Sequence, residues 1–446
     1  MSWTLMIILL KIIYFQAQVT EVDGKKGFGP GEQDWGHIQV RQGAHMFWWL
    51  YYVTPQIKSP DFNVFNKPLL IWLQGGPGSP SSGYGNFMEF GPLNINLQKR
   101  NHTWVNDYNI LFIDSPVGTG FSYVENDSLY DRNNTETAND LMKCISKFLD
   151  TIPGFKNVST YVLGESYGGK IAVEFALIWY KAQENSDIIS NLQGIALGSP
   201  WISPIDSIYF SGVYLLNIGM LDPLDYQELQ LNTEEVESLI DKQRWIRAFE
   251  KFASFGSDSS LLSIGDLNNI MRRKTLINSS HYNYISEYRN PMNHFPDFNE
   301  LSKNLASLMN NDVKVSLNIS TDLLWVPLSP YVFFYLATDF LKPATHTVER
   351  LLNETNLKVI VFNGQLDPVV PSTGTFTWMG KLCWAGAETW RNTKRVPLVV
   401  DNIIEGFVKE HNNLKFYWVS RAGHLAPMDN LYAMKAILQD LTSISN

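Results

Sequence analysis

The chain has only two cysteines among its 446 residues, Cys144 and Cys383. That excludes a scaffold built on disulfides. Whether the two pair or stand as buried thiols is open at the level of sequence. No cysteine–histidine group has the spacing of zinc ligands, so neither a metal nor another cofactor is expected. Basic runs are also missing. Lys and Arg number 35 against 44 Asp and Glu, a net charge of −9, which argues against nucleic acid as a partner. Beyond the first residues, no apolar stretch approaches the ~20 needed to span a bilayer. Internal repeats and low-complexity tracts are absent as well.

Apolar and aromatic residues are plentiful. Hydrophobic residues make up 45% and Trp alone counts 14, enough for a large packed core. The length is high for one domain but ordinary for an α/β core carrying an insertion. The start, "MSWTLMIILLKIIYFQAQVTEV", has an apolar stretch from Leu5 to Phe15 followed by small and polar residues. It reads as a signal peptide over residues 1–19. Seven N-x-[ST] sequons lie at Asn101, Asn126, Asn133, Asn157, Asn278, Asn318 and Asn353. Together with the signal they place the chain in the secretory pathway, secreted or lysosomal, as a glycoprotein.

Strand-length apolar runs recur at "LLIWLQ" (69–74), "NILFID" (109–114), "STYVLGE" (159–165), "LQGIALGS" (192–199), "KVIVFNG" (358–364) and "KFYWVS" (415–420). Near-continuous hydrophobicity is what a parallel sheet covered on both faces requires. Helical segments fit between them. One, "TETANDLMKCISKFLD", opens on threonines suited to capping. "GGKIAVEFALIWYKA" and the terminal "PMDNLYAMKAILQDLTSI" are two more. Upstream, "GHIQVRQGAHMFWWLYYV" reads as an antiparallel hairpin at the sheet edge. The alternation predicts a doubly wound α/β fold, with core halves at 20–204 and 331–446. Residues 205–330 break the rhythm and read as a mostly helical insertion forming a cap.

Gly164-Glu165-Ser166-Tyr167-Gly168 is G-x-S-x-G between a strand and a helix. Glycines allow a sharp bend that lifts the serine above the sheet, and the helix turns its positive end toward developing negative charge. A serine hydroxyl needs a base, and the base needs an orienting acid. Of the eight histidines, only His424 follows both the serine and a late strand on a short glycine turn. His411 reads as a surface residue in a polar connection. His281, His294 and His346 fall in or near the insertion. Asp367 ends "KVIVFNGQLD" at a strand's C-terminal edge, with Asp401 and Asp429 as rivals for the acid. Acyl chemistry also needs oxyanion donors. The loop "WLQGGPGSPSSGYG" is suited to supply one, and Gly76 N–H with Tyr167 N–H is the expected pair.

"WLQGGPG", "FMEFGPL", "ILFIDSPVGTGFSYV", "GESYGGK", "FNGQLDPVV" and "AGHLAPMDN" together resemble the serine carboxypeptidases, most of all their retinoid-inducible branch. The resemblance runs from about residue 35 to 440. It implies an α/β-hydrolase fold and the release of C-terminal residues from peptides and proteins. It assigns the triad to Ser166, Asp367 and His424, and the oxyanion donors to Gly76 and Tyr167. It also places recognition of the substrate's terminal carboxylate on Gln74, Gly75 and Glu165, supported by Glu89. The chain departs from the family where Gln74 replaces a usual asparagine and where "SPSS" follows the GGPG turn. The several disulfides common in the family cannot form.

Glu165 beside the nucleophile would repel a substrate carboxylate if ionised. A protonated Glu165 instead donates to it, and the neighbouring Glu89 would raise its proton affinity. Activity at acidic pH is therefore expected. Two other readings keep the same residues: an esterase or acyltransferase on this triad, and a secreted binding protein that retains the fold without useful activity.

Overall fold

The structure is a computed structural model that describes residues 24–57, 60–255 and 298–442. The signal peptide expected at 1–19, His281, His294 and the sequon at Asn278 lie outside the described residues.

A single mixed sheet organises the chain. Its strands are β1 (Gln33–Arg41), β2 (Ala44–Tyr51), β3 (Leu69–Leu73), β4 (Asn109–Asp114), β5 (Tyr123–Val124), β6 (Thr160–Glu165), β7 (Leu192–Gly198), β8 (Lys358–Gly364), β9 (Val396–Val400), β10 (Ile403–His411) and β11 (Leu414–Val419). Spatial order is β1-β2-β4-β3-β6-β7-β8-β11-β10-β9, with β5 beside β2. The run from β4 to β11 is parallel, and antiparallel pairs close both edges. This is the doubly wound α/β architecture expected from the strand–helix alternation, in the α/β-hydrolase form that the resemblance implies.

The central strands are apolar on both faces because both faces are covered. Leu69, Ile71 and Leu73 join one core with Val162, Leu197 and Val361. Their neighbours Leu70 and Trp72 join a second with Leu163, Ala196 and Phe362. Helices α1 (Asn134–Thr151) and α2 (Tyr167–Glu184) bury Leu141, Phe148, Val173 and Trp179 in the first core. Alternation with a period of two sends successive side chains to opposite layers.

Three details differ from the sequence reading. The cap of α1 is Asn133, whose side chain accepts from Glu136 N–H, and not one of the threonines. β9 and β10 form an edge hairpin that the apolar-run criterion overlooked. β9 is half-exposed and carries Pro397, tolerable only where one side of a strand has no partner. His411 is the last residue of β10, paired opposite Leu414, and so belongs to the sheet and not to a polar connection.

Between β7 and β8 the regular elements of the described chain are helical, among them α3 (Pro204–Asn217), α4 (Pro223–Asp241), α5 (Trp245–Ala253) and α6 (Phe298–Leu308). The Asp222 carboxylate caps α4 in a capping box with Asp225, and Pro223 occupies its first turn. Cys144 is buried and Cys383 exposed, and both are free thiols. Among the described residues no helix is long and apolar enough to cross a membrane.

Candidate active site

Strand order brings the chemistry-bearing loops together. β3 adjoins β6, so the loop after Leu73 borders the turn holding Ser166. β8 and β11 are parallel neighbours, so the loops bearing Asp367 and His424 leave the sheet side by side. All four loops leave C-terminal strand ends, where α/β sheets hold their ligands.

Ser166 sits between β6 and α2 at φ 57°, ψ −124°, a conformation few non-glycine residues adopt without support. Its N–H donates to Gly198 O at 2.9 Å, and its carbonyl accepts from Trp201 N at 2.9 Å. The flanking glycine is required by crowding. A Cβ on Gly168 would lie 2.1 Å from Leu73 O. Gly75 approaches from the other side, where a Cβ would lie 2.7 Å from Ser166 Cβ and 3.0 Å from Tyr167 N. The backbone of the GGPG loop thus lies against the nucleophile turn, with Gly76 next in the chain.

His424 Nδ1 lies 2.8 Å from Asp367 Oδ2. Asp367 is fully buried, and its Oδ1 accepts from Val369 N at 2.9 Å and Val370 N at 3.0 Å. The histidine side chain keeps 21% exposure. Among the described residues Ser166 Oγ closes no hydrogen bond; such links often tighten only with substrate in place. Burial disfavours a charged imidazole here. The Asp367 carboxylate and Glu89 outweigh it and hold His424 above its ordinary proton affinity. Asp401, a rival for the acid, lies in the exposed turn between β9 and β10. Asp429, the other rival, accepts from Gly423 N–H at 2.7 Å and makes no hydrogen bond to the imidazole.

Gln74, Glu165 and Glu89 are buried together. Trp72 Nε1 donates to Gln74 Oε1 at 2.6 Å, and Gln74 Nε2 donates to Glu165 Oε1 at 2.7 Å. The indole N–H can only donate, which orients the amide and makes Glu165 Oε1 an acceptor. A proton on Glu165 then belongs on Oε2, which has no partner. Glu89 lies on a π-helical turn, Tyr84–Phe90, that is buried throughout. It is within reach of Gln74 and Glu165, although neither of its oxygens closes a hydrogen bond.

Burial drives Glu165 well above the ordinary carboxyl range, and the Glu89 charge adds to the effect. Burial lifts Glu89 to about 7, against opposing pulls from Gln74, Glu165, Arg100 and His424. The folded chain thus holds protons that the unfolded chain releases. The associated stability is fully present below the ordinary value of 4.5 and is lost as pH rises through about 7. Thermal midpoints should therefore fall across that interval, and Glu89→Gln should flatten the slope. An unchanged slope in that variant would show that the pair titrates normally.

Sequence reasoning missed two neighbours. Arg100 donates to Phe87 O at 2.6 Å, and burial lowers it to about 10 beside Glu89. Its position in a polar loop offers no signal. Lys170 Nζ pairs with Asp339 Oδ2 at 2.8 Å, and Tyr167 OH donates to the same oxygen at 3.2 Å. This buried pair ties the first turn of α2 to the chain after the insertion. A lysine on the apolar "GGKIAVEFAL" helix was the signal. Among the described residues no group of three or more His, Cys, Asp or Glu is arranged to hold a metal ion.

The serine carboxypeptidase family profile matches residues 24–443. The chain is 36% identical over 414 residues to retinoid-inducible serine carboxypeptidase of Mus musculus, covering 90% of this chain and 89% of that one. It is 33% identical to serine carboxypeptidase-like 51 of Arabidopsis thaliana, with the same coverage. In three dimensions it resembles a prohormone-processing carboxypeptidase, Kex1Δp of Saccharomyces cerevisiae. The TM-score is 0.72 at 22% identity, and 93% of each chain is covered.

Proposed function

The chain belongs to the serine carboxypeptidase family and is a serine-type hydrolase, and from that premise we propose that it releases C-terminal residues from peptides through Ser166, His424 and Asp367. Ser166 Oγ attacks the last peptide carbonyl as His424 Nε2 takes its proton. Asp367 holds the ring through Nδ1 and stabilises the imidazolium. Gly76 and Tyr167 N–H groups receive the oxyanion, aided by the N-terminus of α2. The imidazolium then protonates the departing amine, and water repeats the sequence to free the acyl group. Supporting this reading is the 2.8 Å Asp367–His424 contact, made by loops that leave the same C-terminal sheet edge as the strained serine.

Gln74, Gly75, Glu165 and Glu89 recognise the substrate's terminal carboxylate. Glu165 Oε2–H is the donor, and it exists only while the carboxyl pair holds its proton. His424 sets the opposite limit: Asp367 and Glu89 hold it above its ordinary proton affinity, so the base gains a proton and stops working as pH falls far enough. The described part of the insertion, 205–255 and 298–330, acts as a cap whose end lies against the GGPG loop, where a Cβ on Gly76 would lie 3.1 Å from Leu328. The pathway is secretory, ending outside the cell or in a lysosome. Asn101, Asn126, Asn157 and Asn318 are exposed glycan acceptors. The Asn353 amide already donates to Cys383 O, and that of Asn133 to Glu136.

The test compares free-acid peptides with their C-terminal amides across pH. Free-acid turnover should fall on the alkaline side, as rising pH takes the proton from Glu165, which burial and Glu89 hold well above the ordinary carboxyl range. Amides should lag at acidic pH by about 10–100-fold, the value of one charge-assisted hydrogen bond. Glu165→Gln retains a donor that cannot ionise and should keep free-acid turnover further into alkali. Equal rates on acid and amide at every pH would discard the carboxylate-recognition role and favour an esterase or acyltransferase.

A further inference from the structure

Of the two rival aspartates for the catalytic acid, Asp429 lies close to His424 without touching it. It ends a short helix, α7 (Ala426–Asp429), which packs against the π-helical turn carrying Glu89. Its Oδ2 accepts from the N–H of Gly423, the residue directly before His424, at 2.7 Å. Its Oδ1 is buried and without a partner. The charged groups facing it are Glu89 from the π-helical turn and Asp367 from the loop after β8. Arg100 stands beside Glu89.

The turn preceding His424 is thus held at two points. On the β8 side, Leu366 N–H donates to Ala422 O at 2.8 Å. The approach there is close, since a Cβ on Gly364 would lie 2.1 Å from Gly423 O. On the other side, among the described residues, the Gly423 N–H bonds only to Asp429. Gly423 is buried, so without that carboxyl its N–H would lose its partner and the glycine would gain freedom to rotate. Asp367 fixes the ring's hydrogen bond but does not fix the backbone that presents the ring.

We propose that Asp429 is a positioning residue for the general base, holding the His424 turn through the Gly423 N–H at the junction of the catalytic loop and the Glu89 turn. This rests on the reading of His424 as the base. The carboxyl acts as an acceptor and its charge is not needed, so asparagine, which keeps an acceptor oxygen, should serve as well.

The experiment measures kcat and KM on a free-acid peptide at acidic pH, per active site, for wild type, Asp429→Asn and Asp429→Ala. Asp429→Ala should lose about 10–100-fold in kcat, the scale of a base displaced by a fraction of an ångström to one ångström, with KM changed less than about threefold. Asp429→Asn should restore kcat to within about threefold of wild type. A purely structural role would reduce the number of active sites and leave kcat per site intact. That result, or an asparagine variant as impaired as alanine, overturns the proposal. If the alanine variant does not fold, amide exchange decides. The Gly423 N–H should be protected in wild type and in Asp429→Asn, and an unprotected amide overturns the proposal. Failure of the wild type to turn over peptides would instead count against the triad reading, since the exchange measurement needs no activity.

Discussion

Replacing Ser166 with alanine is expected to lower free-acid peptide turnover by at least ~10⁴-fold, while the thermal midpoint stays at that of the wild type. The two halves of this expectation have separate physical origins. Ser166 holds φ 57°, a strain that alanine, also bearing a Cβ, shares equally. Its Oγ closes no hydrogen bond among the described residues, so removing it leaves no buried partner orphaned. The variant therefore costs the fold almost nothing and costs the reaction its nucleophile. Peptide hydrolysis read by mass spectrometry, beside a thermal melt, checks both. Turnover near the wild-type rate would end the proposed mechanism, and the binding-protein reading would gain if the wild type were itself inert to an active-site serine probe.

Asp367→Asn should reduce kcat by about 10⁴-fold, the scale seen when the acid of such a triad becomes an amide. Here the hydrogen bonds around the residue say why. Oδ1 of Asp367 accepts from two backbone N–H groups, at Val369 and Val370. An asparagine must keep its carbonyl oxygen toward those donors, since turning the amide over would set its NH₂ against them. The amide NH₂ is then forced to face His424 Nδ1 in place of the present acceptor, 2.8 Å away. Nδ1 becomes the lone-pair nitrogen, and the proton moves to Nε2, the atom that must receive the serine proton. KM should change little, because Asp367 is fully buried and does not meet substrate. The ¹⁵N shifts of His424 report the tautomer directly. A variant with normal kcat would show that another group orients the ring.

The buried carboxyl pair extends the same reasoning to pH. Its protons serve recognition of the substrate and stability of the fold in the same direction: ionisation of Glu165 removes the donor, and ionisation of Glu89 at about 7 removes stability. Acid preference would then be a property of the folded core itself.

Much of this was legible in the residues. Gly164 to Gly168 between an apolar strand and a helix marked the nucleophile turn, because only glycine fits where Gly168 meets Leu73 O. The six strand-length runs all proved to be strands, since burial on both faces demands uninterrupted apolar sequence. The edge hairpin β9–β10 was missed because a strand open on one side is under no such demand. The capping residue of α1 was misplaced by a few positions because asparagine and threonine satisfy the same orphan N–H groups.

What the sequence determined alone was chemical type and order: a serine on a glycine turn, then an aspartate, then a histidine, each at a strand end. That information is local, carried by spacing and backbone sterics. Which aspartate meets the imidazole was decided only by tertiary structure. The pairing of β8 with β11 sets Asp367 against the ring, and Asp429, at the end of α7, meets the backbone N–H just before it. The proximity of Glu89 to Glu165 entered the sequence reading only through the family resemblance, and Arg100 beside Glu89 was invisible in the chain. Proton affinities shift with burial and with charges brought close in space, and distance along the sequence records neither.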